Sequence, residues 1–161
     1  MGCVSSKKNT SFSSVNKPED LPLSIKWKDT TAFVPPISCG RVIKVYDSDT
    51  ITVANYMPYQ NSALYRFSVR INGIDCPEIK TKNPTEKQCA IIARDTLSDK
   101  ILNKNVELRN VTLEKYGRIL ADVIYKGENC GEFLCKKKLA VIYSGGTKQS
   151  PEDWMDYYNS A

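Results

Sequence analysis

Six charged side chains of this chain could do chemistry together. Asp47 and Asp49 flank Ser48 in one acidic turn, and Asp75 and Glu78 lie in Gly73-Ile74-Asp75-Cys76-Pro77-Glu78. Arg70 stands five residues before Asp75, and Arg118 follows Tyr116-Gly117. Alone, each acidic cluster reads as an ordinary solvated turn, and each arginine as a solvent-facing strand residue. Together they form a chemical set. Asp49 and Asp75 could supply hard oxygens to Ca²⁺ or a similar cation, with a backbone carbonyl and water completing the shell. A third carboxylate could activate a water. Two guanidiniums could bind phosphate oxygens bidentately and offset the charge of a pentacoordinate transition state. This set suits phosphodiester hydrolysis, where a metal would polarise the phosphoryl oxygen.

Composition narrows the chemistry from the other side. The 161 residues include no histidine. That excludes Ser-His-Asp and Cys-His machinery, His-Glu metalloprotease helices and mixed Cys/His zinc fingers. A general base must be a carboxylate, Lys, Tyr or Cys. The net charge is +5, a mild excess that permits an anionic partner without demanding one. None of the six cysteines forms a CxxC pair, so a four-cysteine zinc site is not expected. The first 30 residues lack the apolar stretch of a secretory signal, and the thiols are read as reduced and cytoplasmic. No run approaches a membrane span.

These side chains need elements to position them. Arg41–Tyr46 and Thr50–Val53 are rich in β-branched residues and flank the first acidic turn, as a hairpin should. Tyr65–Asn72 alternates and makes a third strand that carries Arg70 to the second acidic cluster. Pro84 reads as a helix start, with Asn83 as cap and Glu86 reaching back in a capping box. Cys89, Ala93, Leu97 and Ile101, with Ile92 beside them, give one apolar face to a helix over about 85–103. Val106–Arg109 and Ile119–Tyr125 bracket the Lys115–Arg118 turn as a second hairpin, a second helix spans about 129–138, and Ser150–Asp153 opens a short third one. Five strands with a helix between the third and fourth is the order of an OB-type barrel. The expected class is α+β, mainly β: a five-stranded OB-fold barrel with two to three packed helices.

The sequence resembles the staphylococcal nuclease (thermonuclease) family over about residues 38–145. The resemblance rests on Asp47-Ser48-Asp49-Thr50, on Val69-Arg70-Ile71-Asn72-Gly73-Ile74-Asp75-Cys76-Pro77-Glu78 and on Lys115-Tyr116-Gly117-Arg118. It implies an OB-fold barrel and Ca²⁺-dependent cleavage of DNA and RNA, single strands preferred, leaving 3′-phosphate and 5′-hydroxyl ends. By position it makes Asp49 and Asp75 the calcium carboxylates, with the backbone carbonyl of Cys76 as a further ligand. Glu78 corresponds to the general base, and Arg70 and Arg118 to the phosphate-binding arginines. Lys115 and Tyr116 correspond to side chains that hold a terminal phosphate, and Tyr143 to a tyrosine near the base. Ser48 stands where the family usually has glycine, and the loop from Asn55 to Leu64 is longer than the bacterial pattern.

Residues 1–30 are rich in Ser, Lys, Asn and Thr and read as a flexible tether ahead of a domain over 31–161. Met1-Gly2-Cys3-Val4-Ser5-Ser6 fits a myristoylation signal at Gly2. One such chain binds membranes only marginally, at roughly 10⁴ M⁻¹. Cys3 could carry a palmitoyl chain as the second anchor, with Lys7 and Lys8 attracted to anionic lipid. The expectation is a monomeric nuclease on the cytoplasmic face of a membrane. The alternatives are a catalytically inactive OB module that binds nucleic acid or protein, and a lipid-anchored adaptor with no nucleic-acid role.

Overall fold

The computed structural model describes residues 21–160, and the chain divides into two units, Met1–Phe33 and Val34–Ala161. In the first, one 3₁₀ turn spans Trp27–Asp29, closed by the Lys26 amide donating to Asp29 Oδ2 at 2.9 Å. Its described side chains are exposed. Gly2 and Cys3, the expected acylation positions, lie outside the described residues.

The second unit is a barrel with helices. Its strands are β1 (Cys39–Asp47), β2 (Thr50–Tyr56), β3 (Leu64–Ile71), β4 (Ile74–Asp75), β5 (Asn105–Leu113), β6 (Ile119–Tyr125), β7 (Glu128–Asn129) and β8 (Val141–Ile142). Its helices are α1 (Pro84–Ile101), α2 (Cys130–Lys136) and α3 (Trp154–Asn159). The sheet order is β3-β2-β1-β5-β6-β7, and β3 also pairs in parallel with β6, from Val69↔Ile119 to Ile71↔Ala121. That pairing closes the expected five-stranded barrel and leaves β1, β2, β3, β5 and β6 each with at least two neighbours, so none of these long strands has an edge open to another chain.

Alternation drives the closure. Val42, Ile51, Val53, Val69, Ile71, Val106, Leu108, Ala121 and Val123 point inward and are buried. At Gly40, a Cβ would lie 2.9 Å from the Val53 side chain, so the close approach of β1 to β2 requires glycine there. Helix α1 caps the core with Cys89, Ala93, Leu97 and Ile101, the face expected from the four-residue spacing. Asn83 accepts from the Thr85 and Glu86 amides, Asn129 caps α2 and Asp153 caps α3 in the same way. The buried indole of Trp154 docks α3 on the core. All five described cysteines are free thiols.

One local expectation fails. Glu86 does not reach back to Asn83. Its Oε1 accepts from the Glu78 amide at 3.1 Å and its Oε2 from the Thr81 hydroxyl at 2.6 Å. Those two donors lie on the loop entering α1, and they offer the carboxylate two hydrogen bonds where a capping box offers one.

Candidate active site

The β1–β2 turn is built by burial as much as by its acids. Two irregularities in the β1–β2 register bend the end of β1. Ser48 is fully buried: its amide donates to Asp47 Oδ1 at 2.9 Å and its hydroxyl to the Pro77 carbonyl at 3.2 Å. The serine thereby ties the first acidic turn to the second acidic loop, which glycine could not do. Its backbone is not in the left-handed region, so the side chain fits without strain. Burial pushes the Asp47 carboxyl above its ordinary value, the Ser48 amide opposes this, and the charge of Glu78 adds to it. Asp49 accepts from the Thr50 hydroxyl at 2.7 Å and forms an ion pair with Arg70.

Strand β3 delivers Arg70 opposite Thr50, where the guanidinium also donates to the Ile74 carbonyl at 3.3 Å. Gly73, at φ +80°, turns the chain so that β4 pairs with β8. Asp75 is then only 2% exposed. Its carboxylate receives the Lys148 ammonium at 2.7 Å and the Ser150 hydroxyl at 3.1 Å. Lys148 also reaches Glu78 Oε1 at 3.2 Å. Burial opposes the charge on Lys148, but hydrogen bonds and charge from Asp75 and Glu78 hold its ammonium above the ordinary lysine range. Burial, with the charge of Asp75, pushes the Cys76 thiol far up, which removes it as a nucleophile.

The β5–β6 turn presents Arg118. Gly117 takes φ +82°, and paired bonds between Glu114 and the Gly117–Arg118 backbone close the turn. Glu114 grips the Arg118 guanidinium with both oxygens, and Arg118 Nη1 donates to Thr50 Oγ1 at 3.2 Å. The hydrogen bonds from Arg118 hold the Glu114 carboxyl below its ordinary value, and those to Glu114 hold Arg118 above its own.

This clamp gives a pH-dependent prediction. A carboxyl depressed in the fold contributes stability that is fully present above its unfolded value, near 4.5, and is lost as pH falls through the folded one. Glu114→Gln is therefore expected to melt a few degrees below the parent at neutral pH, with the two curves converging in acid. A gap that is the same at every pH would remove the charge from this account.

One cavity of ≈ 340 Å³ gathers Asp47, Asp49, Thr50, Arg70, Glu78 and Arg118. Asp75 does not line it and connects to it through Lys148 and Glu78. Tyr143 lies with Arg70 on an adjoining cavity of ≈ 560 Å³, and its hydroxyl donates to the Gly146 carbonyl at 3.0 Å. Lys115 and Tyr116 line neither cavity: Tyr116 is 74% exposed, with the Lys115 ammonium 4.8 Å from its ring centroid. The sequence reading passed over Glu114, Lys148 and Ser150. Glu114 had a local signal, four residues before Arg118 across a glycine turn. Lys148 and Ser150 had none.

Among the described residues, no three His, Cys, Asp or Glu side chains converge as a metal-holding group. The chemistry of the donors nonetheless suits a hard cation. Asp49 holds a guanidinium and the nearly inaccessible Asp75 holds an ammonium, so both carboxylates lie where positive charge is stabilised. Carboxylate and carbonyl oxygens such as those of Asp49, Asp75 and Cys76 are the donor class that Ca²⁺ takes; in this structure Asp49 is paired with Arg70 and Asp75 with Lys148.

A protein named as a probable endonuclease from Schizosaccharomyces pombe is 32% identical over 85 residues, 48% of this chain and 37% of that protein. An uncharacterized endonuclease from Haemophilus influenzae is 33% identical over 103 residues, 64% of this chain and 51% of that one. A staphylococcal-like nuclease from Arabidopsis thaliana is 30% identical over 105 residues, 63% of this chain and 31% of that one. The chain thus spans between about a third and a half of the length of these relatives. A family model described as staphylococcal nuclease homologue matches residues 68–160, which takes in Arg70, Asp75, Glu78 and Arg118 and starts after Asp49. That match covers more than half of the 161 residues, and the chain belongs to the staphylococcal nuclease homologue family.

Proposed function

We propose that the chain is a Ca²⁺-dependent nuclease that hydrolyses phosphodiester bonds of DNA and RNA, single strands preferred. The observation that carries the proposal is the meeting of Arg70 and Arg118 with Glu78 in one cavity beside Asp49. A phosphodiester seated there would place its non-bridging oxygens against two guanidiniums. Arg118 is oriented for this by Glu114 and Thr50, and Arg70 by Asp49 and the Ile74 carbonyl. Each can give two parallel N–H donors to phosphate oxygens and stabilise the charge that builds up at phosphorus. Glu78, 56% exposed and lining the same cavity, would take the proton of the attacking water. Water oxygen would bond to phosphorus as the bond to the 5′ oxygen breaks, and the departing 5′ oxygen would take a proton from solvent, leaving a 3′-phosphate and a 5′-hydroxyl. A calcium ion held by Asp49, Asp75 and the Cys76 carbonyl would supply Lewis-acid polarisation of the phosphoryl oxygen.

The purified chain should hydrolyse single-stranded DNA when Ca²⁺ is added and stop when a chelator removes it. Hydrolysis that is indifferent to chelation would take the metal out of the reading. The second reading is a module that binds nucleic acid without cutting it. It draws support from Lys148, whose ammonium engages both Asp75 and Glu78. Binding with no hydrolysis at any Ca²⁺ concentration would decide for it.

The anchoring part of the proposal rests on Met1-Gly2-Cys3 and Ser6 in the sequence. Dual acylation would give stable attachment where a single chain would not. Gly2→Ala should move the protein from membrane to soluble fractions of a eukaryotic cell, and identical fractionation of the two proteins would end that idea.

A further inference from the structure

The hairpin of β2 and β3 ends in a stretch without charge: from Asn55 to Tyr65 there is no Asp, Glu, Lys or Arg. Tyr56, Tyr59, Leu64 and Tyr65 are 61%, 46%, 59% and 42% exposed there. The register puts them on both sides of the hairpin, with Tyr56 opposite Leu64 on one face and Tyr65 opposite Asn55 on the other. Hydrogen bonds fix the connecting loop. The Met57 amide donates to Ser62 Oγ at 2.9 Å, the Tyr59 amide to the Met57 carbonyl at 2.8 Å, and the Tyr59 hydroxyl to that of Tyr65 at 3.0 Å. One row back, Arg41 on β1 and Arg66 on β3 both pair with Ala54, on the face shared with Tyr56 and Leu64, and both are exposed. Arg41 Nε donates to the neutral Asn105 Oδ1 at 3.2 Å. Glu107, opposite Cys39 at this end, is already engaged by Arg109 at 2.8 Å. The same end receives the N-terminal chain: Cys39 begins β1, and its carbonyl accepts from the Asn55 side-chain amide at 2.8 Å. The segment that carries Gly2 therefore joins the barrel beside the tip. The cavity lies at the other end of β2, where Thr50 lines it, about 20 Å of strand from Tyr56.

From this arrangement we infer that the β2–β3 tip is a docking surface for an anionic lipid bilayer. The inference rests on the anchoring reading for the presence of a membrane, and it adds which end of the barrel meets it. A tyrosine ring settles at headgroup level, with its apolar body towards the acyl chains and its hydroxyl in water. Leu64 would bury apolar surface beside the rings, and Arg41 and Arg66 would lie level with the anionic headgroups. The exposed apolar groups flank the hairpin end on both faces. A rigid partner covers one such face, whereas a bilayer closes around both. The cavity would then stand about 20 Å from the lipid, beyond two Debye lengths of about 8 Å each. Membrane charge would not repel a polyanionic strand at that distance.

The test separates docking from acylation. Full-length protein carrying Gly2→Ala, to which no myristoyl chain can attach, is expressed in bacteria and sedimented in chelator with vesicles of phosphatidylcholine containing phosphatidylserine. It should bind, and bind less to vesicles of phosphatidylcholine alone. Adding Tyr56→Ser with Leu64→Ser should weaken binding about tenfold or more. Adding Arg66→Ala should weaken it about fivefold. Lys137→Ala, the same charge change on α2, should change it by less than about twofold. Melting curves confirm that each variant is folded. Vesicles should slow deuterium uptake over residues 56–65 and leave 47–50 unchanged. Failure of the Gly2→Ala protein to sediment at any lipid concentration would overturn the inference. So would tip variants that bind vesicles as well as their parent, or protection of 47–50 in place of 56–65. Tip variants that keep the vesicles but lose an oligothymidylate, or pass from dimer to monomer, would assign the surface to nucleic acid or to a second copy and overturn it likewise. Identical cell fractionation of the parent and Gly2→Ala would count against the acyl anchor and leave the vesicle result standing.

Discussion

Glu78→Gln is expected to lower turnover on single-stranded DNA by about 10²–10⁴-fold with little change in KM. Glutamine keeps the size of the side chain and loses the ability to take a proton. The chain has no histidine to substitute. Among the other carboxylates of the cavity, Asp49 is engaged by Arg70 and Thr50, and the half-buried Asp47 accepts from the Ser48 amide. Glu78 alone combines access to solvent with a place beside both arginines. The backbone of the loop should not move, because the tie to Glu86 uses the Glu78 amide and not its side chain. A steady-state assay at saturating Ca²⁺ reads the effect, and turnover equal to the parent would exclude Glu78 as the base.

Arg118→Lys is expected to cost about 10²–10³-fold in the cleavage step. The substitution keeps the positive charge and removes the planar fork. If charge alone mattered, the variant would retain most of its activity. Here the fork is already divided: two nitrogens grip Glu114 and a third reaches Thr50, so orientation is fixed before substrate arrives. An ammonium cannot hold Glu114 bidentately and face a phosphate at the same time. Arg70 is the less direct test, because its partner Asp49 is itself a proposed calcium carboxylate, whereas Arg118 pairs with Glu114. Single-turnover cleavage with enzyme in excess measures the step, and retention within about threefold would show that the fork is dispensable.

The features legible in the sequence were those with local causes. The acidic turn between β1 and β2 follows from β-branched runs on either side, and α1 follows from Asn83, Pro84 and apolar residues every fourth position. Asn129 marked α2 in the same way. Arg70 and Asp75 were found together because one strand and one turn join them. Distant pairings left no such trace. The β3–β6 closure joins segments about fifty positions apart, and Lys148 meets Glu78 from seventy positions away. The three-residue spacing of Glu86 from Asn83 matches a local motif, while the amide it holds lies eight positions earlier in the loop entering α1. Ser48 read as a departure from the family's glycine. Its use as a hydroxyl donor to Pro77 depends on two loops meeting, which spacing alone does not reveal.

The bond between Glu86 and the Glu78 amide has a consequence for heat. The first turn of a helix opens at lower cost than the interior of a closed sheet. Unwinding that single turn would set Glu78 adrift while every ladder of the barrel stayed intact. Inactivation and melting then become separate events at separate temperatures, and deuterium uptake at Glu78 compared with that in β5 would tell them apart.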